Sequence, residues 1–124
     1  MIDHLTVSVR NVKKTKAFYV KALKPLGYAP RMEFPGVVGF GDKLKPYFWI
    51  KQAKVVTAPQ HVAFIAKTRA AVDAFYKAAL KAGAKDDGPP GVRAHYHAHY
   101  YGAFVIDPNG HPIEAVCHAP TKKR

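Results

Sequence analysis

Short segments that alternate apolar and polar residues are interspersed with two segments that repeat apolar residues at helical spacing. Residues 5–9 alternate apolar and small polar side chains, which predicts a half-buried strand. Asn11 is a suitable cap for the helix that follows, which carries Phe18 and stops at Gly27. Three further segments have the composition of strands and are separated by turn residues, namely 28–33, 37–40 and 47–51. The first half of the chain therefore predicts the order βαβββ.

The second half repeats this order. Residues 61–66 are predicted as a strand, and Thr68 is predicted to cap a helix that contains Phe75. The Gly- and Pro-rich segment 87–91 predicts a loop, and residues 107–110 predict a hairpin turn. The remaining strands are predicted at 93–97, 100–106 and 112–118, with His111 and His118 as surface residues at a turn and at a strand end.

Part of the sequence occurs twice. The motif Phe18-Tyr19-x-x-Ala22-Leu23-Lys24 returns as Phe75-Tyr76-x-x-Ala79-Leu80-Lys81 at an offset of 57 residues, and the same offset separates His4 from His61. Such a repeat indicates one supersecondary unit used twice, with equivalent positions around a pseudo-twofold axis. We therefore predict one α+β domain, residues 1–124, in which two βαβββ modules (about 1–52 and 60–118) form a cupped mixed sheet with both helices on its outer face.

Charge, apolar content and cysteine count indicate which kinds of molecule this protein binds and where it is located. The chain carries 20 Lys and Arg against 8 Asp and Glu, a net charge of +12, but the lysines are scattered. A small anionic molecule is therefore favoured over nucleic acid. No apolar run approaches the roughly 20 residues that cross a bilayer, so no membrane partner is expected. Cys117 is the only cysteine and the amino terminus lacks the pattern of a signal peptide, so a cytoplasmic protein is expected.

Strand alternation predicts which side chains share a site. If Val7 and its apolar neighbours pack against a helix, His4 faces the opposite, concave side of the sheet. The same alternation turns His61 and Glu114 to the concave side. Two imidazoles and one carboxylate can hold a divalent metal while leaving positions open for substrate. These ligands suit iron, manganese, zinc, nickel or cobalt rather than calcium.

The chain resembles the vicinal oxygen chelate superfamily, which includes glyoxalase I, bleomycin-resistance proteins and extradiol dioxygenases. The resemblance covers residues 1 to about 118 and is specific for the fold. It rests on the paired modules, on His4, on Phe18-Tyr19, on Leu26-Gly27, on His61-Val62-Ala63-Phe64, and on Asp107-Pro108-Asn109-Gly110-His111 followed by Ile113-Glu114. It implies metal ligands at the start of the first and fifth strands and within the fourth and eighth, and His4, His61 and Glu114 match three of these places.

The fourth ligand place implied by the resemblance falls at Trp49, whose indole N–H cannot bind a metal. This departure disfavours a standard lactoylglutathione lyase, in which a carboxylate at that place is both ligand and base. Three ligands are instead similar to the extradiol dioxygenase pattern. Dioxygenases of that type commonly carry a second copy of the paired module, which this chain lacks.

Further side chains are candidates for substrate contact and for acid or base chemistry. If residues 95–99 are extended, His97 and His99 share a face and could act as acid or base near the metal. The alternatives are a polar rim or, for either histidine, a contact in a dimer. The residues predicted to line the cup or its rim are Tyr47, Trp49, Lys51, Tyr101 and Phe104.

Two functions remain open. The first is a small metal-dependent lyase, isomerase or dioxygenase whose substrate chelates the metal through two adjacent oxygens. The second is a metal-independent protein that binds or sequesters a planar or anionic compound, as in the bleomycin-resistance branch. A homodimer is expected, because a cup formed from paired modules gains closure and buried area by dimerising.

Overall fold

The computed structural model describes residues 1–57 and 59–120 and contains two βαβββ modules. The first consists of β1 (Leu5–Val9), α1 (Val12–Leu23) with a 3₁₀ turn (Lys24–Leu26), β2 (Ala29–Phe34), β3 (Val37–Gly41) and β4 (Pro46–Gln52). The second consists of β5 (Val62–Ile65), α2 (Arg69–Lys81), β6 (Lys85–Val92), β7 (Tyr101–Ile106) and β8 (Pro112–Cys117). The predicted α+β class and the duplicated module are confirmed.

Both helices begin where the sequence predicts, and α1 is extended by its 3₁₀ turn to the predicted stop at Gly27. The side chain of Asn11 accepts a hydrogen bond from the backbone N–H of Lys14, and Thr68 caps α2 in the same way, which satisfies one otherwise unpaired donor in each first turn. Gly27, with a φ of 86°, ends the 3₁₀ turn after α1 in the left-handed region that favours glycine. Phe18 and Phe75 occupy equivalent positions in the two helices, and both are buried.

The eight strands form two four-stranded mixed sheets, in the orders β1-β4-β3-β2 and β5-β8-β7-β6. The registers of the two parallel pairs are equivalent. Thr6 lies opposite Trp49 in the first sheet, and Ala63, which is 57 residues after Thr6 in the sequence, lies opposite Glu114 in the second. Trp49 and Glu114 are therefore at matching places in the two modules.

One hydrophobic core is shared by both modules. Helix α1 packs against α2, and the Phe48 ring of β4 meets the Phe64 ring of β5 edge to face, with centroids 5.1 Å apart. Val7 and Val9 of β1 and Ala103 and Val105 of β7, which alternate toward the helices, are fully buried, as period-two patterning predicts. We call the opposite sides of both sheets the open faces, and they carry Trp49, Phe104 and Glu114.

A buried polar network joins the modules, and it includes a histidine that the sequence assigns to the surface. His111 is fully buried: its Nδ1 accepts a hydrogen bond from the Gln60 N–H at 3.1 Å, and its Nε2 lies 2.8 Å from the Ser8 carbonyl oxygen. Because the carbonyl can only accept, Nε2 carries the proton. In the same network, Tyr19 donates to Asp107 at 2.5 Å. The prediction that His111 is a surface residue is wrong.

The predicted boundaries around β6 are also wrong. Residues 87–91, predicted as a loop, belong to β6, whereas 93–97, predicted as a strand, lie in the loop before β7. Proline is tolerated in β6 because this is an edge strand and its pairing with β7 skips from Gly88 to Gly91, so neither Pro89 nor Pro90 needs to supply an N–H to the ladder.

Within residues 1–57 and 59–120, no helix is long and apolar enough to cross a membrane.

Candidate functional site

On the open face of the second module, an imidazole and a carboxylate meet. His61 immediately precedes β5, Glu114 lies within the neighbouring β8, and His61 Nε2 is 2.8 Å from Glu114 Oε1. Glu114 is 2% exposed, whereas the His61 side chain is 59% exposed, so the pair presents its imidazole to solvent and keeps its carboxylate inside. We call these residues the His61–Glu114 pair.

Tyr100 holds the other oxygen of this carboxylate. It ends the loop between β6 and β7, and its hydroxyl donates to Glu114 Oε2. Burial, followed by the hydrogen bond to Glu114, raises the pKa of Tyr100 well above its ordinary value, because both effects disfavour the phenolate. The phenol therefore remains a proton donor, and both oxygens of Glu114 have a partner in the protein.

The first module has positions equivalent to His61 and Glu114, but one of them is occupied by a different type of side chain. His4 precedes β1 as His61 precedes β5, and Trp49 stands where the second module has Glu114. His4 Nδ1 lies 2.6 Å from Asp3 Oδ1, and Asp3 also pairs with Lys45. The Lys45 ammonium, followed by His4, lowers the pKa of Asp3. His4 is thus held in a small exposed charge cluster.

His4 and Trp49 line a cleft of about 650 Å³ that is formed by the first module alone. The Trp49 indole lies over Gly39, where an added Cβ would come within 2.9 Å of the ring, and it stacks on Phe34 at a centroid distance of 6.4 Å. Charged side chains surround this aromatic surface. The cleft is lined by the cations Arg31, Lys43 and Lys45 and by the carboxylates Asp3 and Asp42. We call this the His4 cleft.

The remaining residues predicted to contact substrate are divided between several surroundings. Phe104 lies opposite Glu114 in the pairing of β7 with β8, so it belongs to the open face, and Arg93 lies over its ring at 5.2 Å. Tyr47 donates to Asp42 at 3.3 Å and does not line the His4 cleft. Lys51 is exposed near the end of β4.

Tyr101 does not fit its predicted placement, because it faces the helices. Its hydroxyl donates to Asp73 of α2 at 2.7 Å, and the Arg69 guanidinium lies over its ring at 5.0 Å. The reason is strand alternation: Tyr101 shares its face of β7 with buried Ala103 and Val105, whereas Phe104 lies on the other face.

The histidine-rich segment is a loop and not the extended strand on which its shared face depended. His97 Nε2 lies 2.5 Å from His118 Nδ1, and the two rings stack at 4.7 Å. His99 donates its backbone N–H to His97 Nδ1 at 3.0 Å, so His97 carries its proton on Nε2. The Tyr100 ring packs edge-on against both His97 and His118, so this group adjoins Glu114 only through Tyr100.

The donor atoms of the second module fit two positions of a metal shell. Ligand atoms about 2.0–2.2 Å from one ion and at right angles to each other are about 3 Å apart, close to the separation observed between His61 and Glu114. His4 of the same chain is not grouped with His61 and Glu114. Across the described residues, no three His, Cys, Asp or Glu side chains are grouped so that they could hold a metal ion.

Comparison with known proteins gives the family. The model of the Glyoxalase/Bleomycin resistance protein/Dioxygenase superfamily matches residues 1–115. The chain belongs to this superfamily. No curated protein matches the chain.

Solved structures of similar proteins agree with this membership. The superfamily fold of this chain superposes on a glyoxalase/bleomycin resistance protein from Albidiferax ferrireducens with a TM-score of 0.83 and 25% identity, over 96% of this chain and 99% of that one. A glyoxalase-related enzyme from Fulvimarina pelagi superposes with a TM-score of 0.74 and 16% identity, over 94% of this chain and 87% of that one. A glyoxalase/bleomycin resistance protein/dioxygenase family enzyme from Burkholderia phytofirmans superposes with a TM-score of 0.73 and 18% identity, over 94% of this chain and 98% of that one. The last two show the fold alone.

Two features of this superfamily member were not found by sequence reasoning. The role of Tyr100 is not visible in the sequence, because this residue ends an irregular loop and carries no periodic signal. The charged rim of the His4 cleft was also missed, because Arg31 and Lys45 come from different segments that only the folded sheet brings together. The two equivalent half-sites were detectable, since the repeat marks them directly.

Proposed function

We propose that the protein is a small metal-dependent enzyme of the glyoxalase/dioxygenase type, acting on a substrate that presents two adjacent oxygens. The observation that carries this proposal is the His61–Glu114 pair, whose nitrogen and oxygen lie 2.8 Å apart on the open face. A divalent iron, manganese, zinc, nickel or cobalt ion, when bound, would polarise the two substrate oxygens and stabilise an enolate or diolate.

We further propose that His4 of a second copy completes the ligand set. In one chain His4 belongs to the His4 cleft and is not grouped with the His61–Glu114 pair. A homodimer with twofold symmetry can place the first module of one copy against the second module of the other, which gives two identical sites. Exposed apolar side chains on both open faces, Phe34 at 56% and Ile65 at 63%, support this pairing because they would be covered.

In such a site each side chain of the chain has a distinct task. Tyr100 fixes Glu114 through Oε2, which leaves Oε1 directed toward His61. Trp49 supplies an apolar wall where a fourth ligand would otherwise stand, so lactoylglutathione lyase chemistry is disfavoured and the open positions are left to water or substrate. His97 and His99 remain predicted acid or base groups, and His97 is the nearer candidate because its ring packs against Tyr100.

The alternative function is metal-independent binding or sequestration of a planar or anionic compound, as in bleomycin resistance. The stack of Trp49 on Phe34, with Arg31 and Lys45 lining the same cleft, favours it. Aromatic walls with a few charged groups are typical of small-molecule sites. For either function we propose the cytoplasm as the location, because the single cysteine, Cys117, is buried and reduced surroundings suit it.

Calorimetric titration with Zn²⁺, Mn²⁺, Ni²⁺, Co²⁺ and, without oxygen, Fe²⁺ tests the proposal. We expect at least one ion to bind, and Glu114→Gln to weaken it because the only anionic ligand is removed. Trp49→Glu should tighten binding by restoring a carboxylate at the equivalent place. The matched control is Glu33→Gln, which removes an exposed carboxylate that pairs with Lys16.

Absence of binding by the parent with every ion, together with unchanged ligand affinity in Glu114→Gln, would refute the metalloenzyme proposal. The binding-protein alternative would then lead. Equal effects of Glu114→Gln and Glu33→Gln would also count against it, since they would reflect charge alone.

A further inference from the structure

A second cleft, of about 430 Å³, lies along α1. It is bounded by α1, by the β7–β8 turn at Pro108 and by Ala82 at the end of α2, and buried Phe18 forms part of its lining. We call it the α1 cleft. It shares no residue with the His4 cleft or with the His61–Glu114 pair.

The charged side chains that line the α1 cleft are all cations. Arg10, Lys14 and Lys21 line it, all three are exposed, and no acidic side chain is among its lining residues. In the described part of the chain, none of the three forms an ion pair. Lys16 of the same helix differs, because it pairs with Glu33 and does not line the cleft.

The nearest acidic side chain along the chain does not neutralise this charge. Asp107 adjoins the cleft residue Pro108, but it is 3% exposed. Its Oδ1 accepts from the backbone N–H groups of Asn109 and His111, and its Oδ2 accepts from Tyr19. The carboxylate is thus directed into the core, and the positive field of the cleft is left for a ligand.

The positive surface continues past the cleft. Lys21 also lines an adjoining hollow of about 400 Å³ together with Ala78 and Lys81 of α2. Lys14 and Lys21 are seven residues apart, which is about 10 Å along the helix axis at ~1.5 Å per residue. A single phosphate group would contact both lysines only with their side chains bent toward each other along the helix. An extended anion with several negative groups in series matches the spacing.

From this arrangement we infer that the α1 cleft binds a small polyanion that carries two or more linked phosphate groups. Lys and Arg are the side chains that recognise phosphate through charge-assisted hydrogen bonds. Arg10 already donates to the Pro108 carbonyl at 3.4 Å, which holds its guanidinium at the rim and leaves its other donors for the ligand. Phe18, Ala82 and Pro108 supply the apolar part of the lining.

Isothermal titration of the full chain with tripolyphosphate tests the inference. We expect one molecule bound per chain. Its affinity should decrease when the salt concentration is raised from about 50 to about 300 mM, because the contacts are charged. Lys14→Glu/Lys21→Glu should weaken binding at least about tenfold. The matched control, Lys54→Glu/Lys67→Glu, lowers the net charge equally, from +12 to +8, on exposed residues outside the cleft, and should change affinity less than about threefold.

Three results would overturn the inference. The first is no binding of tripolyphosphate by the parent, and the second is equal weakening in the cleft variant and its control, which would show attraction by net charge alone. The third is a single-stranded oligonucleotide that displaces tripolyphosphate and binds far more tightly, which would make the cleft part of a nucleic-acid surface. Lys14→Gln/Lys21→Gln should reproduce the loss, and it keeps the test valid if the charge-reversed variant fails to fold.

Discussion

Replacing His111 with alanine should destabilise the protein strongly, because this buried histidine ties the segment before β5 to β1. His111 is fully buried and joins two segments, through the Gln60 N–H at 3.1 Å and the Ser8 carbonyl at 2.8 Å. Truncation removes this partner from both backbone groups, and each lost hydrogen bond costs about 0.5–1.5 kcal/mol, because Gln60 is exposed and Ser8 is half-buried, so water replaces the partner in part. The expected loss in the free energy of unfolding is therefore about 2–5 kcal/mol, including the space left by the ring.

Urea denaturation followed by circular dichroism measures this loss. The transition midpoint should move to lower urea while the slope stays constant, because the folded state remains compact. The matched control is His95→Ala, since His95 is an exposed histidine of the loop before β7 and its replacement should cost less than about 0.5 kcal/mol. A loss below about 1 kcal/mol in His111→Ala, or equal losses in both variants, would refute the assignment of His111 as a buried link between the modules.

Three further outcomes are expected. Tyr100→Phe should weaken metal binding about tenfold or more in calorimetry, because Glu114 loses the partner that fixes its orientation. Gly39→Ala should displace the indole of Trp49, the only tryptophan, and shift its fluorescence to longer wavelength, since the new Cβ would lie 2.9 Å from the ring; an unchanged spectrum would contradict the geometry. Burial, followed by the Asp107 carboxylate, raises the pKa of Tyr19 well above 10.0. The unfolded chain therefore releases this proton at a lower pH than the folded chain does. The stability of the fold should consequently fall as pH rises through about 10. Tyr19→Phe should reduce that alkaline loss in denaturation curves taken across this range.

Local patterning predicted most of the fold, because period-two strands and capped helices are encoded within a few residues. Asn11 and Thr68 mark the starts of both helices, and the 57-residue repeat marks the duplicated module. The failure at β6 has a physical cause: Pro89 and Pro90 normally argue against a strand, and only the position of β6 at the sheet edge permits them.

The candidate site was predictable in part, and what was missed depends on tertiary contacts. His61 and Glu114 meet as alternation and equivalence suggested, because both signals act within strands. The burial of His111 and the hydrogen bond from Tyr100 to Glu114 arise between segments that are far apart or irregular in the sequence. The prediction that Tyr101 lines the cup is wrong, because alternation along β7 places it on the same face as the buried Ala103 and Val105.

The central claim is that His4 of one copy and the His61–Glu114 pair of another form one metal site, and mixing two defective variants tests it most directly. His4→Ala and Glu114→Gln homodimers should each bind metal weakly, since every site lacks a ligand. After the two chains are unfolded together and refolded, about half of the dimers should be mixed, and each mixed dimer should contain one intact site. Calorimetry should then recover parent-like affinity in about a quarter of all sites. No recovery in mixtures that light scattering shows to be dimeric, or a monomeric parent, would contradict the claim.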